Sequence, residues 1–342
     1  MTIKMLVFDF RDSEKQFFKE HKFEHFDITF YQESLNDASV ENLSQDELDN
    51  TTVISVFINS DVTENVINKF KNLRIISTRS TGYDQISKKG AMEKNIAVIN
   101  VDTYGSKSVA QYAFTLILAM VRKLIPAALY MRDYKGECSN FVGRDLSRLT
   151  LGVVGTGAIG ASVCKIGYSF GMKILAYDLN VRQELLDSIN VEYVSFKDLL
   201  VRSDVISLHL PYTGDNYHMF SKTEFDMMKD NSYFVNTSRG EIVDTVAAYN
   251  ALVLGKLSGL ALDVVACEDI SFHCDKNHRY ITEVPLNCVK EMEAVKKLAW
   301  MENAIITPHV AYETQDAIDY ILEQTFDGIR DCIKGSSKYR VY

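Results

Sequence analysis

Four side chains able to do acid–base or anion-binding chemistry stand at or just past the ends of three apolar runs. NAIITPHVAYET (303–314) stops at Pro308 and presents His309. SYFVNTSRG (232–240) presents Arg239 after its apolar run, and LSGLALDVVACE (257–268) carries Asp263 at the end of its run with Glu268 shortly after. A histidine exchanges protons near neutral pH, and an arginine at the edge of an open parallel sheet is a candidate anion clamp. Each has a plainer alternative: His309 as a satisfied corner residue, Arg239 as a surface ion pair to Glu241 or Asp244. The appearance of an acid, a base and a guanidinium at successive strand ends favours one shared site.

A second constellation is GVVGTGAIG, with Gly155, Gly157 and Gly160 in G-x-G-x-x-G spacing between a strand-like run and a helix. The first glycine permits a tight turn, the second lets backbone amides approach a diphosphate, and the third lets helix pack on strand. The next run, KILAYD, ends in Asp178, 18 residues beyond Gly160, where an acid can accept a ribose hydroxyl. That acid favours NAD over NADP, although Arg182 lies close by. A methyltransferase could use a similar turn, so the nicotinamide assignment needs the rest of the domain.

The elements that must position these groups are legible as alternating apolar runs and amphipathic stretches. KMLVFDF, ITFY, TVISVF, RIISTRS and IAVINV predict a first parallel sheet. A helix is expected over about Ser106–Leu124, ending before Pro126. LTLGVVG, KILAYD, VEYVSF, DVISLHL, SYFVNTS, LSGLALDVV and NAIITP predict a second, doubly wound sheet. The last helix, about Thr314–Ile333, places Ala317, Ile318, Ile321 and Ile329 on one face and is expected to return to the first domain. The fold class is therefore α/β, with two doubly wound parallel-sheet, Rossmann-like domains. One comprises 1–103 and 310–342, and the other, 104–309, is inserted into it. Residues 266–302 show no clear strand and read as a long loop.

With 342 residues, 46% hydrophobic and 24% charged, the chain suits two globular domains. A net charge of −9 argues against a nucleic-acid partner and for a small molecule. The apolar stretch 109–121 is too short for a membrane span, so no membrane partner is expected. No export signal is apparent in MTIKMLVFDF, and a cytoplasmic protein is inferred. Six scattered cysteines without a C-x-x-C pair fit reduced thiols. His273, Cys274, His278 and Cys288 lack paired ligand spacing, so no metal is expected.

Taken together, RSTGYDQI (79–86), YGSKSVAQY (104–112), GVVGTGAIG, VNTSRGEIVD (235–244), LALDV with Glu268, and ITPHVAYET make the chain resemble the D-specific 2-hydroxyacid dehydrogenases, particularly D-lactate dehydrogenases. The resemblance covers nearly the whole chain. It implies that Arg239 clamps a substrate carboxylate, that His309 is the acid/base and that Glu268 orients it. It further implies substrate contacts from the backbone of Thr81 and Gly82 and from Tyr104 and Tyr312. The cofactor set it implies adds Thr156, Ala158 and Ile159 to the three glycines and Asp178, then Leu210, Pro211, Asn216, Thr237, Ser238 and Asp263.

The implied cofactor is NAD, the implied assembly a homodimer joined near helix 106–124 and the following ALYMRDY, and the implied site an interdomain cleft. The expected reaction is reversible hydride transfer between NADH and a short 2-keto acid, pyruvate giving D-lactate. A bulkier keto acid is the alternative, with Phe57, Ile58, Tyr104, Trp300 and Tyr312 available as pocket walls. An NADH-sensing interaction protein is a third reading.

Overall fold

A computed structural model describes residues 2–101, 105–132, 140–268, 285–336 and 340–341. The chain divides into two compact units, Met1–Tyr104 with Glu313–Tyr342, and Gly105–Tyr312. In the first, strands β1 (Ile3–Val7), β2 (Phe26–Phe30), β3 (Val53–Val56), β4 (Ile75–Thr78) and β5 (Ala97–Ile99) form one sheet in the order β2-β1-β3-β4-β5. All pairs are parallel. Four six-residue helices connect them: α1 (Lys15–Glu20), α2 (Gln45–Asn50), α3 (Glu64–Lys69) and α4 (Lys88–Glu93).

β3 and β4 are buried at every position, as strands covered on both faces must be. One of those faces is covered by the C-terminal helix Gln315–Ile333, which sets Ile318, Leu322, Phe326 and Ile329 on Met5, Val7, Val53, Ile75 and Ile99. Each such aliphatic or aromatic burial contributes about 1.5–3 kcal/mol. Thr314 caps this helix by accepting from the Ala317 amide.

The second unit holds β6 (Thr150–Val154), β7 (Lys173–Tyr177), β8 (Glu192–Tyr193), β9 (Val205–Leu208), β10 (Ser232–Asn236), β11 (Leu257–Leu262) and β12 (Ala304–Ile306). Their order, β12-β11-β10-β9-β6-β7-β8, reverses direction between β6 and β9. Ligands bind beyond the strand C-termini at such a switch point. Its helices are α5 (Ser106–Val121), α6 (Leu124–Arg132), α7 (Ala158–Ser169), α8 (Gln183–Ile189), α9 (Phe196–Arg202), α10 (Lys222–Met227), α11 (Thr245–Val253) and α12 (Leu286–Leu298).

Three local expectations are corrected. The helix expected over 106–124 is α5, but it does not end in a loop: a second helix, α6, follows after Lys123 turns to φ 50° and the axes bend by 64°. Pro126 sits in the first turn of α6, where no intrahelical N–H is needed. Within 266–302, residues 286–298 form α12 rather than loop, with Ala294, Val295 and Leu298 buried. Reduced thiols were expected throughout, yet Cys267 and Cys288 form a disulfide, Cα to Cα 5.8 Å, with α12 packed on α11 and β12. His273, Cys274 and His278 lie outside the described residues. Among the described residues no single helix is long and apolar enough to cross a membrane.

Candidate active site

The turn after β12 is built on Asp263. This carboxylate is fully buried, and it accepts from the Thr307 hydroxyl (2.6 Å) and from the amides of Val310 (3.0 Å) and Ala311 (2.9 Å). Burial pushes its carboxyl above the ordinary range, against the pull of those three donors and of the neighbouring His309. The turn therefore stays with the second unit through Tyr312, three residues beyond the boundary expected at 309. Asp263 thus serves the turn.

His309 takes a left-handed backbone, φ 55°, and donates its amide to the Asp263 carbonyl (2.8 Å). A non-glycine residue held there marks a position fixed by its surroundings. The ring is fixed too: Nδ1 lies 2.8 Å from Glu268 Oε2, while Glu268 Oε1 accepts from the Val265 amide at 3.2 Å. Nε2 has no hydrogen-bond partner among the described residues. A carboxylate on Nδ1 with Nε2 left open is the arrangement of an oriented proton donor or acceptor.

Arg239 follows β10 in a turn held by Asn236. The buried Asn236 amide accepts from the Ser238 amide (2.9 Å) and hydroxyl (2.8 Å) and donates to the Arg239 carbonyl (2.9 Å). The guanidinium donates to the Ser238 carbonyl at 2.8 Å, its single hydrogen bond among the described residues. The surface-pair alternative is thus unrealised, since neither Glu241 nor Asp244 pairs with it, and donors remain for a carboxylate. Gly240 is pressed on the Glu268 turn: a Cβ there would meet the Val265 carbonyl carbon at 1.9 Å and the Ala266 nitrogen at 2.3 Å.

Sequence reasoning passed over Asn236, Gly240 and the Val265 amide. The one available signal was an asparagine and a glycine bracketing Thr237-Ser238-Arg239. Gly240→Ala is expected to lose most activity at any temperature where the protein stays folded, because backbone must shift where Arg239 and Glu268 are positioned. Turnover in the wild-type range, with folding checked by circular dichroism, would contradict that coupling.

The nucleotide half of the site follows its glycines. Gly155 has φ 89°, and a Cβ there would strike the His209 carbonyl at 2.6 Å; at Gly160 it would strike the Gly155 carbonyl at 1.9 Å. Beyond Gly157 nothing lies within 4 Å of a would-be Cβ, leaving open space at the N-terminus of α7. There the first-turn amides, including Ala158 and Ile159, lack intrahelical acceptors, as a phosphate-binding helix start requires. The buried Thr237 Oγ1 has no partner among the described residues. Leu210 and Pro211 follow β9, and Asn216 ties their loop by accepting from Thr213 and donating to Pro211. These residues fit a dinucleotide.

Asp178, just past β7, accepts from the Thr156 amide and hydroxyl and from the Asn180 amide. Partial burial would raise its pKa, but the Asn180, Thr156 and Leu179 donors outweigh that and hold it below the usual carboxylate range. With its folded pKa depressed, its contribution is present above the unfolded value and lost only as pH falls through the lower one. The preference for NADH over NADPH is therefore expected to persist from neutral pH down to roughly 4, the ordinary aspartate value. Asp178→Ala should weaken NADH binding and narrow the preference, and fluorescence titration reads both. Equal affinities in the unmodified protein would sink the assignment.

In the first unit, Thr81 and Gly82 follow β4 in a loop braced by its own side chains. Thr81 donates its hydroxyl to the Val101 carbonyl, Asn100 donates to the Thr81 carbonyl, and Ser80 donates to the Gly82 carbonyl. The amides of Thr81 and Gly82 donate to nothing among the described residues, as an anion-binding pair would require. Beneath them the buried Arg79 bonds Glu14, Ser55 and the carbonyls of Phe8 and Asp9. Tyr104 lies outside the described residues and Tyr312 is buried. Trp300, expected as a pocket wall, is 91% exposed.

The family described as D-isomer specific 2-hydroxyacid dehydrogenase, NAD binding domain, matches residues 114–311. A D-specific alpha-keto acid dehydrogenase of Enterococcus faecium is 37% identical over 284 residues, 82% of each chain. An aromatic 2-oxoacid reductase of Clostridium sporogenes is 33% identical over 83% of this chain and 84% of its own. The crystal structure of a D-lactate dehydrogenase from Aquifex aeolicus, complexed with NAD and lactic acid, superposes with a TM-score of 0.85 at 34% identity over 98% of both chains.

Proposed function

The chain belongs to the D-isomer-specific 2-hydroxyacid dehydrogenase family and is an NAD-dependent oxidoreductase, and within that family we propose that it reversibly reduces a short 2-keto acid, pyruvate, to the D-2-hydroxy acid. The observation that carries the chemistry is the His309–Glu268 contact at 2.8 Å with Nε2 left open. NADH, when bound, supplies the hydride. Arg239 holds the substrate carboxylate through two parallel hydrogen bonds, and the Thr81 and Gly82 amides are further donors suited to an anion. Protonated His309 gives its Nε2 proton to the oxygen as negative charge develops there, and in the oxidative direction neutral Nε2 takes it back. Glu268 keeps Nδ1 protonated and the ring aimed.

Pyruvate is preferred as substrate because the Aquifex aeolicus structure, similar over nearly the whole chain, holds lactic acid. A bulkier keto acid is the second reading, favoured by the comparable similarity of the aromatic 2-oxoacid reductase. NADH oxidation over a panel of pyruvate, 2-ketoisocaproate and phenylpyruvate separates the two, and absence of turnover on all three would return the chain to an NADH-binding role. We also place a homodimer contact on α6, whose Leu124, Ile125, Leu129 and Met131 are exposed, rather than on α5, which buries nine residues in its own unit.

A further inference from the structure

The disulfide Cys267–Cys288 stands directly beside the residue that aims the acid/base. Cys267 immediately precedes Glu268 and has a left-handed backbone, φ 56°, which a residue with a Cβ rarely adopts unless held. Its partner, Cys288, is buried in the first turn of α12. That helix is anchored independently of the disulfide. Glu291, one turn further along the same face, is buried and accepts from the Thr245 amide at the start of α11 (3.2 Å), and Ala294, Val295 and Leu298 are buried behind it. The disulfide therefore ties a short strained turn to a fixed post. What lies on that turn is Glu268, otherwise held only by the Val265 amide and His309 among the described residues.

From this geometry we infer that Cys267 and Cys288 are positioning residues for Glu268, and that their disulfide makes the acid/base pair responsive to thiol redox state. A dithiol reductant opens it by exchange. One reductant thiolate attacks a cystine sulfur and displaces the other as a thiolate, forming a mixed disulfide. The second reductant thiol then cleaves that bond. Two electrons and two protons pass to Cys267 and Cys288, and the reductant leaves as its own disulfide. Cys267 is half-buried rather than enclosed, so one sulfur of the pair is approachable. Freed from α12, the 266–268 turn relaxes from its left-handed conformation and Glu268 loses its fixed aim at Nδ1. The free thiols among the described residues lie elsewhere: Cys164 is buried, and burial pushes its thiol up to about 12, while Cys332 is on the C-terminal helix Gln315–Ile333.

This inference rests on Glu268 being the residue that orients His309, and the test separates the two. The full-length enzyme, purified without reductant, is assayed with NADH and pyruvate, or with whichever keto acid of the panel it turns over, before and after dithiothreitol and again after reoxidation. Peptide mass spectrometry scores the 267–288 cross-link. Expected are a fall in kcat of between about 10- and 100-fold on reduction, the size of a displaced catalytic contact, unchanged NADH affinity, and recovery on reoxidation. Cys288→Ser should sit at the reduced level and ignore dithiothreitol. If that variant does not fold, reduced wild-type enzyme alkylated at both thiols replaces it. Glu268→Ala, which leaves no acceptor to aim at Nδ1, should show no further redox response, whereas a merely structural cross-link would still weaken it.

A full-rate enzyme whose Cys267 and Cys288 are both alkylatable as purified, or a kcat unmoved when the cross-link is seen to open, overturns the inference and leaves the proposed function standing. Full activity in Glu268→Ala would instead remove Glu268 from the site, and with it the reading on which the inference depends.

Discussion

Replacing His309 with alanine is expected to lower kcat for keto-acid reduction by about 10²–10⁴-fold, the usual contribution of a positioned general acid. The proton for the developing alkoxide would then have to come from water rather than from a group held in place by Glu268. NADH affinity should be unchanged, since the glycine turn and Asp178 are built on β6, β7 and α7 and share no hydrogen bond with the histidine. Glu268→Gln keeps an acceptor for Nδ1 and should lose less. The double variant should lose little more than His309→Ala alone, because the two side chains act as one unit. Single-turnover kinetics with NADH fluorescence measure all three. A His309→Ala enzyme within a few-fold of wild type would remove the histidine from the chemistry, whatever its geometry.

Arg239→Lys is the second large effect. The charge is kept, but a point ammonium cannot reproduce the planar pair of parallel N–H donors, so kcat/KM should fall about ten- to a hundredfold, matching one lost charged hydrogen bond at ~1.5–3 kcal/mol. Because the same guanidinium touches the carboxylate before and during reaction, part of the loss should appear as a raised KM and part as a lowered kcat. Stability should barely change, since the guanidinium's single bond among the described residues is to its neighbour's carbonyl. Near-normal turnover by a folded Arg239→Lys protein would take the clamp elsewhere.

Much of this could be read before any coordinates. Both sheets announce themselves because parallel strands covered on two faces are continuous apolar runs, and TVISV or DVISL can be little else. Arg239, Asp263 and His309 could be placed because open parallel sheets gather their chemistry at strand C-termini, so the end of a run is also an address. What escaped depends on contacts far apart in sequence or on backbone geometry. No local pattern says that Gly240 touches the Val265–Ala266 peptide, or that Cys267 meets a cysteine 21 residues on. The helix α6 escaped for another reason: Pro126 reads as the end of a helix, whereas in the first turn of a new one it is tolerated. Trp300 was misplaced because size and aromaticity suggest a pocket wall, whereas its position after α12 leaves it in solvent.

The covering of β1, β3, β4 and β5 by the helix Gln315–Ile333 also bears on how the chain is made. The helix begins 216 residues after Ile99 (315 − 99), with the whole second unit between. At about 5–20 residues per second, a ribosome needs roughly 10–40 s to cross that interval. Throughout it, Met5, Val7, Val53, Ile75 and Ile99 have emerged without the apolar stripe that will cover them. The nascent first sheet is then a half-built layer showing an oily face, the kind of surface that chaperones retain and aggregates recruit. The inserted unit, contiguous in sequence, can close its core first, so the earliest segment to be synthesised is the last to be finished.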